Sequence, residues 1–227
     1  MASIFESALG RDFAHLHPML QKRFGVDVRN GYGCVGRGVF SEVRRGAWWT
    51  LPFLQIGAYR NILFPDQGKD IPFTIENYPY VDGLGRPTVT FVRTLSLPGA
   101  RKRRFDASMI YSLQRACIVD YLGTHQHLAT DLKLEVQRDG SLHLQSTVQR
   151  FYEGFLGFTF PSLFTGTADL YESFDDKRGV YTVQMQVRNP LLGFLFGYRG
   201  EFTCTFPLLS EAPFPDHLKP VREERRE

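Results

Sequence analysis

The sequence has few of the features that are typical of disulfide-linked or membrane-spanning proteins. Its 227 residues include three cysteines, Cys34, Cys117 and Cys204, and this odd, widely spaced set forms neither a C-x-x-C motif nor a disulfide framework. No apolar run approaches the roughly 18 residues of a membrane-spanning helix, and no signal-peptide pattern is present. We therefore expect a soluble, cytoplasmic protein with reduced thiols and no membrane span.

An excess of one charge sign is also missing. The formal net charge is +3, which is too small to require a nucleic-acid partner. The basic run "RKRR" (residues 101–104) follows Pro98 and Gly99 and is expected at a solvated hairpin end. The terminal "REERRE" mixes both signs, so residues 211–227 are expected to form a flexible, charged tail.

Motifs for familiar catalytic and cofactor sites are absent as well. The chain has no G-x-S-x-G elbow, P-loop, H-E-x-x-H helix or zinc ribbon. "GYGCVG" (Gly31 to Gly36) fits G-x-G-x-x-G, but "RGVFSEVRR" follows with strand alternation, and residues 48–65 contain no acidic residue. A dinucleotide fingerprint needs a helix and a downstream carboxylate. We therefore expect no cofactor, and glycines that allow strand curvature.

The sequence does contain a long succession of strands and turns. From Ile71 to Leu208 the chain alternates apolar and polar residues between turns such as "RDGS" and "DDKRG", whose Asp and Gly suit tight hairpins. No helical crossovers separate the strands, which excludes a parallel sheet. We predict one mainly β (α+β) domain over residues 1–210, an antiparallel β-barrel or strongly curved meander sheet with N-terminal helices.

The helical part is predicted at the N-terminus, over residues 3–24. Ser3 followed by Glu6 has the spacing of a capping box. Asp12 is expected to cap a second segment with apolar residues three and four apart, and Gly25 is expected to end it. We expect these helices to pack on the barrel or to plug one end. The apolar "AWWTLPFLQIGAYRNILFP" is predicted as a short helix or irregular cover.

The stretch "IVDYLGTHQHLATDLKLEV" gathers the residues that are most suggestive of a site. On a strand, His125 and His127 would share a face, and Asp120 and Asp131 bracket them. The H-x-H-x₃-carboxylate spacing resembles that of cupin metal sites. However, the expected preceding glycine and the third histidine are missing, so no metal is predicted. We rank three interpretations in order: the polar wall of a pocket, an acid–base pair formed by a histidine and Asp120, and a metal site.

Charged residues inside otherwise apolar strands support a pocket, although strand alternation alone would place many of them outward. Charges that point into a barrel must pair, and such groups commonly line ligand cavities. We predict that Glu76, Arg93 and Arg150 orient a ligand's polar head, beside His125, His127 and Asp120. The apolar body of the ligand is expected to lie against Trp48, Trp49, Phe91, Tyr121 and Phe151.

Several phrases together resemble one bacterial family. "PFTIENYPYVD", "RRFDASMIYS", "IVDYLGTHQHLATDL", "QRFYEG", "FTGTADLYESFDD" and "VRNPLLGFLFGYRG" are similar, in this order, to the family called domain of unknown function 4166, from about Ile4 to Phe206. The family carries no agreed activity or catalytic residue. Its members occur alone or fused behind a saccharopine-dehydrogenase-like Rossmann module, which implies a partner that acts on small metabolites or lipids.

Three functions remain open from the sequence. The first is a small-molecule-binding barrel for a hydrophobic or amphipathic ligand. The second is a cofactor-free isomerase, cyclase or hydrolase with His125 or His127 as base, oriented by Asp120. The third is an accessory domain that docks on a dehydrogenase-like protein through exposed "FPSLFTG" and "PLLGFLFG".

Overall fold

A computed structural model of the chain describes residues 2–161, 163, 165–211 and 214–227. The helices are α1 (Ile4–Leu9), α2 (Pro18–Phe24) and α3 (Leu51–Tyr59), with single 3-10 segments at Gly10–His15, Trp48–Thr50, Pro98–Ala100 and Asp216–Leu218. The strands are β1 (Cys34–Arg45), β2 (Gly68–Asn77), β3 (Pro79–Val81), β4 (Pro87–Leu97), β5 (Arg101–Ser112), β6 (Cys117–Leu122), β7 (Leu128–Val136), β8 (Leu142–Glu153), β9 (Leu156–Thr159), β10 (Thr167–Asp175), β11 (Val180–Asn189) and β12 (Gly193–Thr205).

Ten of these strands close into an antiparallel barrel. The hydrogen-bonded order is β10-β11-β12-β1-β2-β4-β5-β6-β7-β8, and β8 pairs back with β10 to complete the circle. The short strands β3 and β9 add to the edges of β4 and β8. Closure removes the unpaired backbone groups that an open sheet would expose. The predicted mainly β, antiparallel barrel with N-terminal helices is confirmed.

The alternating strand direction divides the connections between two ends of the barrel. Residues 46–67, 98–100, 123–127, 154–161, 163, 165–166 and 190–192 lie together at one end, here named the α3 end because the first connection contains α3. Backbone hydrogen bonds hold these connections in place: Gly46 N donates to Leu195 O in β12 at 2.7 Å, and Thr124 N donates to Arg60 O of another connection at 3.1 Å. The N-terminal segment packs at the opposite end, here named the closed end, where His17 N donates to Gly140 O in the β7–β8 turn.

The N-terminal helices pack their apolar residues into the barrel core. Phe5, Leu20 and Phe24 are fully buried, and the ring of Phe5 lies 4.7 Å from that of Phe24 and 5.8 Å from that of Phe91 in β4. Ser3 Oγ accepts a hydrogen bond from the Glu6 amide, so the predicted capping box is confirmed.

The second predicted cap is displaced. Asp12 lies within the 3-10 segment, and α2 begins later, at Pro18, with His17 as its cap. The physical reason is Pro18 itself, because proline is tolerated in the first turn of a helix and disfavours a helical residue before it.

A buried polar network joins α2 to the barrel wall. The Arg23 guanidinium donates to both carboxylate oxygens of Glu172 in β10, to Asn77 Oδ1 at 2.6 Å and to Cys34 Sγ at 3.3 Å. Arg23 and Glu172 are almost completely buried. A buried ion pair needs such additional hydrogen bonds to offset its loss of hydration. This network therefore fixes the position of α2 at the closed end.

The C-terminal segment is packed on the barrel, whereas the sequence predicts a solvated tail. The outer faces of β5 to β8 carry a buried apolar cluster of Ile110, Val119, Tyr121, Ala129 and Tyr152, here named the outer cluster. An apolar outer face of this kind requires cover, because leaving it in water is unfavourable. Residues of the terminal segment provide hydrogen bonds at its edge.

The contacts of that segment are specific. Tyr121 Oη donates to Arg226 O at 2.9 Å, and Tyr152 Oη donates to Glu227 O at 3.0 Å. Glu224 is only 5% exposed and accepts hydrogen bonds from Arg222 and Arg226. These pairs hold the pKa of Glu224 down at about 2, against the opposing effect of burial.

Candidate functional site

The barrel encloses a cavity of about 400 Å³ that runs from the closed end toward the α3 end. At the closed end its wall includes Phe24 and Glu172, and at the α3 end it includes Phe53, Ile56 and Phe160. Most of the lining is apolar. The polar groups are few: Arg60, Arg93, Asp120, His127, Thr130, Ser146, Gln149, Glu153 and Glu172. A mainly apolar cavity with a few polar groups is typical of small-molecule sites.

Arg93 is a buried cation in the lining of this cavity. It lies on β4, where Phe91, Arg93 and Leu95 alternate toward the interior. The side chain is 6% exposed, and its guanidinium carbon lies 5.1 Å from the ring centroid of Phe105 and 5.9 Å from that of Phe91. In the part of the chain that the structure describes, Arg93 forms no side-chain hydrogen bond and no ion pair. Its donors are therefore available to a ligand.

Asp120 lines the same cavity from β6. It is buried, and its Oδ1 has no hydrogen-bond partner among the described residues. Burial raises the pKa of this carboxyl to about 7, and the positive charge of Arg93 only partly opposes the rise. Near neutral pH the carboxyl therefore exchanges between a proton-donating and a charged form. The cavity thus holds a permanent cation and a carboxyl whose charge depends on pH.

His125 and His127 lie at the α3 end, in a turn before β7 and not on a strand. Gln126 between them has a positive φ of 52°, and the two rings stack with centroids 5.5 Å apart. His127 Nδ1 lies 2.7 Å from Glu153 Oε2 and 2.9 Å from an Arg222 nitrogen. Partial burial and the nearby Arg60 guanidinium lower the pKa of His125.

Of the two histidines, only His127 lines the cavity. No ion pair or hydrogen bond joins Asp120 to either histidine within the described residues. A general base needs its orienting carboxylate within hydrogen-bond reach. The structure therefore brings His125 and His127 together but leaves Asp120 apart from them.

Arg150 and Glu76 lie on the outside of the barrel. Arg150 Nη2 donates to Asp131 Oδ1 at 2.5 Å, and Arg115 Nη2 donates to Asp131 Oδ2 at 2.6 Å. Burial opposes ionisation of Asp131, but the hydrogen bonds from the two arginines outweigh it and lower its pKa. Glu76 lies on the outer face of β2, with His217 3.6 Å away.

A β-bulge explains why Arg150 points outward. In the pairing of β7 with β8, Thr130 lies opposite Gln149 but Leu132 lies opposite Ser146, so β8 contains one extra residue. Ser146 and Gln149 both face the cavity, whereas Val148 between them is exposed. Simple alternation from Ser146 would place Arg150 inside, and the extra residue reverses this.

The predicted aromatic wall is divided between the inside and the outside. Phe91 and Phe151 line the cavity. Tyr121 faces the opposite side of β6 and belongs to the outer cluster. Trp48 and Trp49 are exposed at the α3 end, with ring centroids 6.0 Å apart.

Several lining residues are not predicted from the sequence. Gln149 has no detectable signal because it faces inward only through the bulge, and Arg60 sits in an irregular connection where strand alternation does not apply. Thr130 follows simple β7 alternation and could have been found from it.

Among the described residues, no group of three or more His, Cys, Asp or Glu side chains is arranged to hold a metal ion. Within the same residues, no helix has the length and hydropathy to cross a membrane. The three cysteines are free, with Cys34 buried and Cys117 and Cys204 half-buried.

Comparison with known proteins gives the family. The model of the domain of unknown function family DUF4166 matches residues 16–202. The chain belongs to this family. The chain is also 35% identical over 202 residues to the uncharacterised protein YndH of Bacillus subtilis strain 168, a match that covers 89% of this chain and 97% of the relative. The resemblance of the quoted phrases to DUF4166 is thereby confirmed.

Proposed function

We propose that this DUF4166 protein binds an amphipathic small molecule inside the barrel, with an anionic head group held by Arg93. The observation that carries the proposal is a buried guanidinium without a hydrogen bond or ion pair, among the described residues, beside a cavity of about 400 Å³. This volume is in the range of ligand pockets, which span about 300–1,000 Å³.

The charge of the cavity favours an anion. A buried cation without a partner is unfavourable, and a ligand carboxylate or phosphate oxygen would supply the missing acceptor. Below neutral pH, Asp120 with its raised pKa is mostly protonated and does not cancel the charge of Arg93. In this form it donates a hydrogen bond to an oxyanion. The two groups together fit one acidic head.

The apolar lining favours a hydrophobic tail on the same ligand. Phe91, Phe105, Met109 and Leu132 line the interior, while Phe151 and Phe160 line the end nearer α3. Burial of apolar ligand surface against such side chains is worth about 25 cal/mol per Å² before the costs of association. We propose that the ligand enters the cavity at the α3 end and that its tail lies against the lining there.

The three free cysteines support a reducing, cytoplasmic setting for the protein.

The experiment is a calorimetric titration with a matched ligand pair, dodecanoic acid and its methyl ester. The wild-type protein is expected to bind the acid at least about tenfold more tightly, since hydrogen bonds to charged groups are worth about 1.5–3 kcal/mol. Arg93→Met is expected to remove this preference. Arg37→Met, which changes an exposed arginine on β1, is the matched control and should behave like the wild type.

Each contrary result has a distinct meaning. Absence of heat with either ligand, in a protein whose native mass spectrum carries no trapped organic molecule, would reject the proposed binding function. Equal affinity for acid and ester in the wild type would keep the cavity as a binding site but reject Arg93 as the anchor of the head group.

A further inference from the structure

The α3 end of the barrel concentrates exposed apolar side chains. Nineteen large hydrophobic side chains are exposed in the described part of the chain, and eleven of them lie in three α3-end segments: residues 48–59, residues 155–161 with 163, and residues 191–192. Their exposed fractions are large: 94% for Phe155, 81% for Tyr59 and 75% for Trp48. Exposed apolar side chains concentrated at one end of a protein are typical of an interaction site.

Helix α3 itself is built to face an apolar surface. Its sequence, LPFLQIGAY, contains no charged residue. Phe53, Ile56 and Tyr59 recur every three residues and are all exposed, whereas Leu54 is its one buried residue. A surface helix of a water-soluble protein normally turns its apolar face inward. Here the exposed face is apolar, as is typical of a surface that contacts another molecule.

Basic side chains without a carboxylate partner accompany the apolar segments. Five of them form no ion pair among the described residues: Arg44, Arg45, Arg60, Lys102 and Arg188. Three of these lie over aromatic rings of the same end: Arg60 over Tyr59 at 5.2 Å, and Arg44 and Arg188 over Phe194 at 5.2 and 6.0 Å.

Two carboxylates of the α3 end, Asp66 and Glu153, are already engaged. Asp66 pairs with Arg101 and Arg103, and Glu153 pairs with His127 and Arg222. The five unpaired basic side chains therefore give the α3 end an uncompensated positive charge. This charge is complementary to an anionic surface.

From this arrangement we propose that the α3 end docks on the surface of an anionic phospholipid bilayer. Tryptophan and tyrosine prefer the level of the lipid head groups, and arginine and lysine next to them bind anionic lipid. The apolar residues come from three separate connections around one end, so they can insert side by side into a plane. The cavity opens at this same end. The docking requires no spanning helix and does not depend on what the cavity binds.

The test is flotation of the full chain with vesicles of defined composition. The protein is expected to float with vesicles of phosphatidylcholine mixed with phosphatidylglycerol and to float far less with phosphatidylcholine alone. Added salt is expected to release it, because charge attraction is screened over about 8 Å at physiological ionic strength.

Two variant pairs localise the contact. Trp48→Ser combined with Ile56→Ser is expected to abolish flotation, whereas Leu113→Ser, an exposed leucine in the β5–β6 turn at the opposite end, is the control. Lys102→Glu is expected to weaken partitioning by about fivefold or more, the effect of one basic residue near a charged surface. Arg138→Glu, also exposed and without an ion pair among the described residues but at the opposite end, is its control.

Three results would overturn the proposal. They are no flotation with anionic vesicles, equal loss of flotation in the control variants, and a vesicle-free dimer that the Trp48→Ser, Ile56→Ser variant dissociates. The last would assign the surface to a second copy of the chain.

Discussion

Arg93 and Asp120 face the same cavity, yet no hydrogen bond or ion pair joins them within the described residues. Two opposite charges in a dry interior normally pair closely, because each is otherwise poorly solvated. Here the carboxyl instead retains its proton up to a pKa of about 7. This arrangement leaves a positively charged, hydrogen-bonding site whose charge depends on pH.

The affinity for an acidic ligand is expected to fall as the pH rises through about 7. Above this pH Asp120 becomes charged, repels a carboxylate head and offsets the field of Arg93. Titration of dodecanoic acid at several pH values checks this. Asp120→Asn should bind with an affinity that stays nearly constant over the same range, and a variant that keeps the wild-type pH profile would contradict the assignment.

The stability of the fold is expected to depend on pH through the same carboxyl. Because its folded-state pKa is raised, the folded protein retains a proton that the unfolded chain releases above about pH 4. Its contribution is most favourable below that pH and is lost as the pH rises through about 7. Between about pH 5 and about pH 8, the free energy of unfolding of the wild type should fall by about 3 kcal/mol relative to that of Asp120→Asn. Urea unfolding of both proteins at the two pH values measures this, and parallel pH profiles would count against it.

Filling the cavity is expected to stabilise the protein and to block binding. Ala107 lines the cavity, and Ala107→Leu adds three carbon atoms to open space, for a gain of up to about 2 kcal/mol. Ala129→Leu is the matched control, since Ala129 is buried in the outer cluster and overpacking there should cost about 1–3 kcal/mol. Thermal unfolding and ligand titration distinguish them. A destabilised Ala107→Leu protein would mean that the cavity is smaller than it is in this structure.

The architecture follows from local signals in the sequence, whereas the site follows only in part. Hairpin turns and strand alternation predict the barrel, and the same alternation places Phe91 and Arg93 on one face. Strand alternation gives the wrong side for Arg150, because one extra residue in β8 turns the side chains that follow it to the opposite face of the sheet.

The C-terminal segment could not be placed from its own residues. Its charges alone predict a solvated chain, and the contacts that hold it depend on Tyr121 and Tyr152, which are distant in sequence. Likewise, α3 is identifiable as an apolar segment, but its outward orientation depends on tertiary packing against the connections of the α3 end.

The contact between two connections of the α3 end is expected to depend on Gly123. It has a φ of +75°, and a Cβ at this position would lie 2.4 Å from Arg60 O. Gly123→Ala therefore adds a backbone clash to the strain of the left-handed region and should cost about 2–4 kcal/mol. Gly85→Ala shares the positive φ of +80° but meets no atom within 4 Å, so it isolates the strain alone, about 1 kcal/mol. Equal unfolding free energies for the two variants would contradict the close approach.

The docked C-terminus is expected to be released by acid or by the loss of one carboxylate. The pKa of Glu224, about 2, lies below its unfolded-state value near 4, so its contribution is complete above about pH 4 and is lost as the pH falls toward 2. Glu224→Gln should destabilise the protein by about 1 kcal/mol at neutral pH, a modest figure because the pairs are partly screened by solvent. It should also speed hydrogen exchange at the amides of Val221 and Glu224, which donate to Thr124 O and Gln126 Oε1. Glu211→Gln, in an exposed turn outside the docked segment, is the control. Fast exchange at both amides in the wild type would show that, in solution, the C-terminal segment is not docked on the barrel.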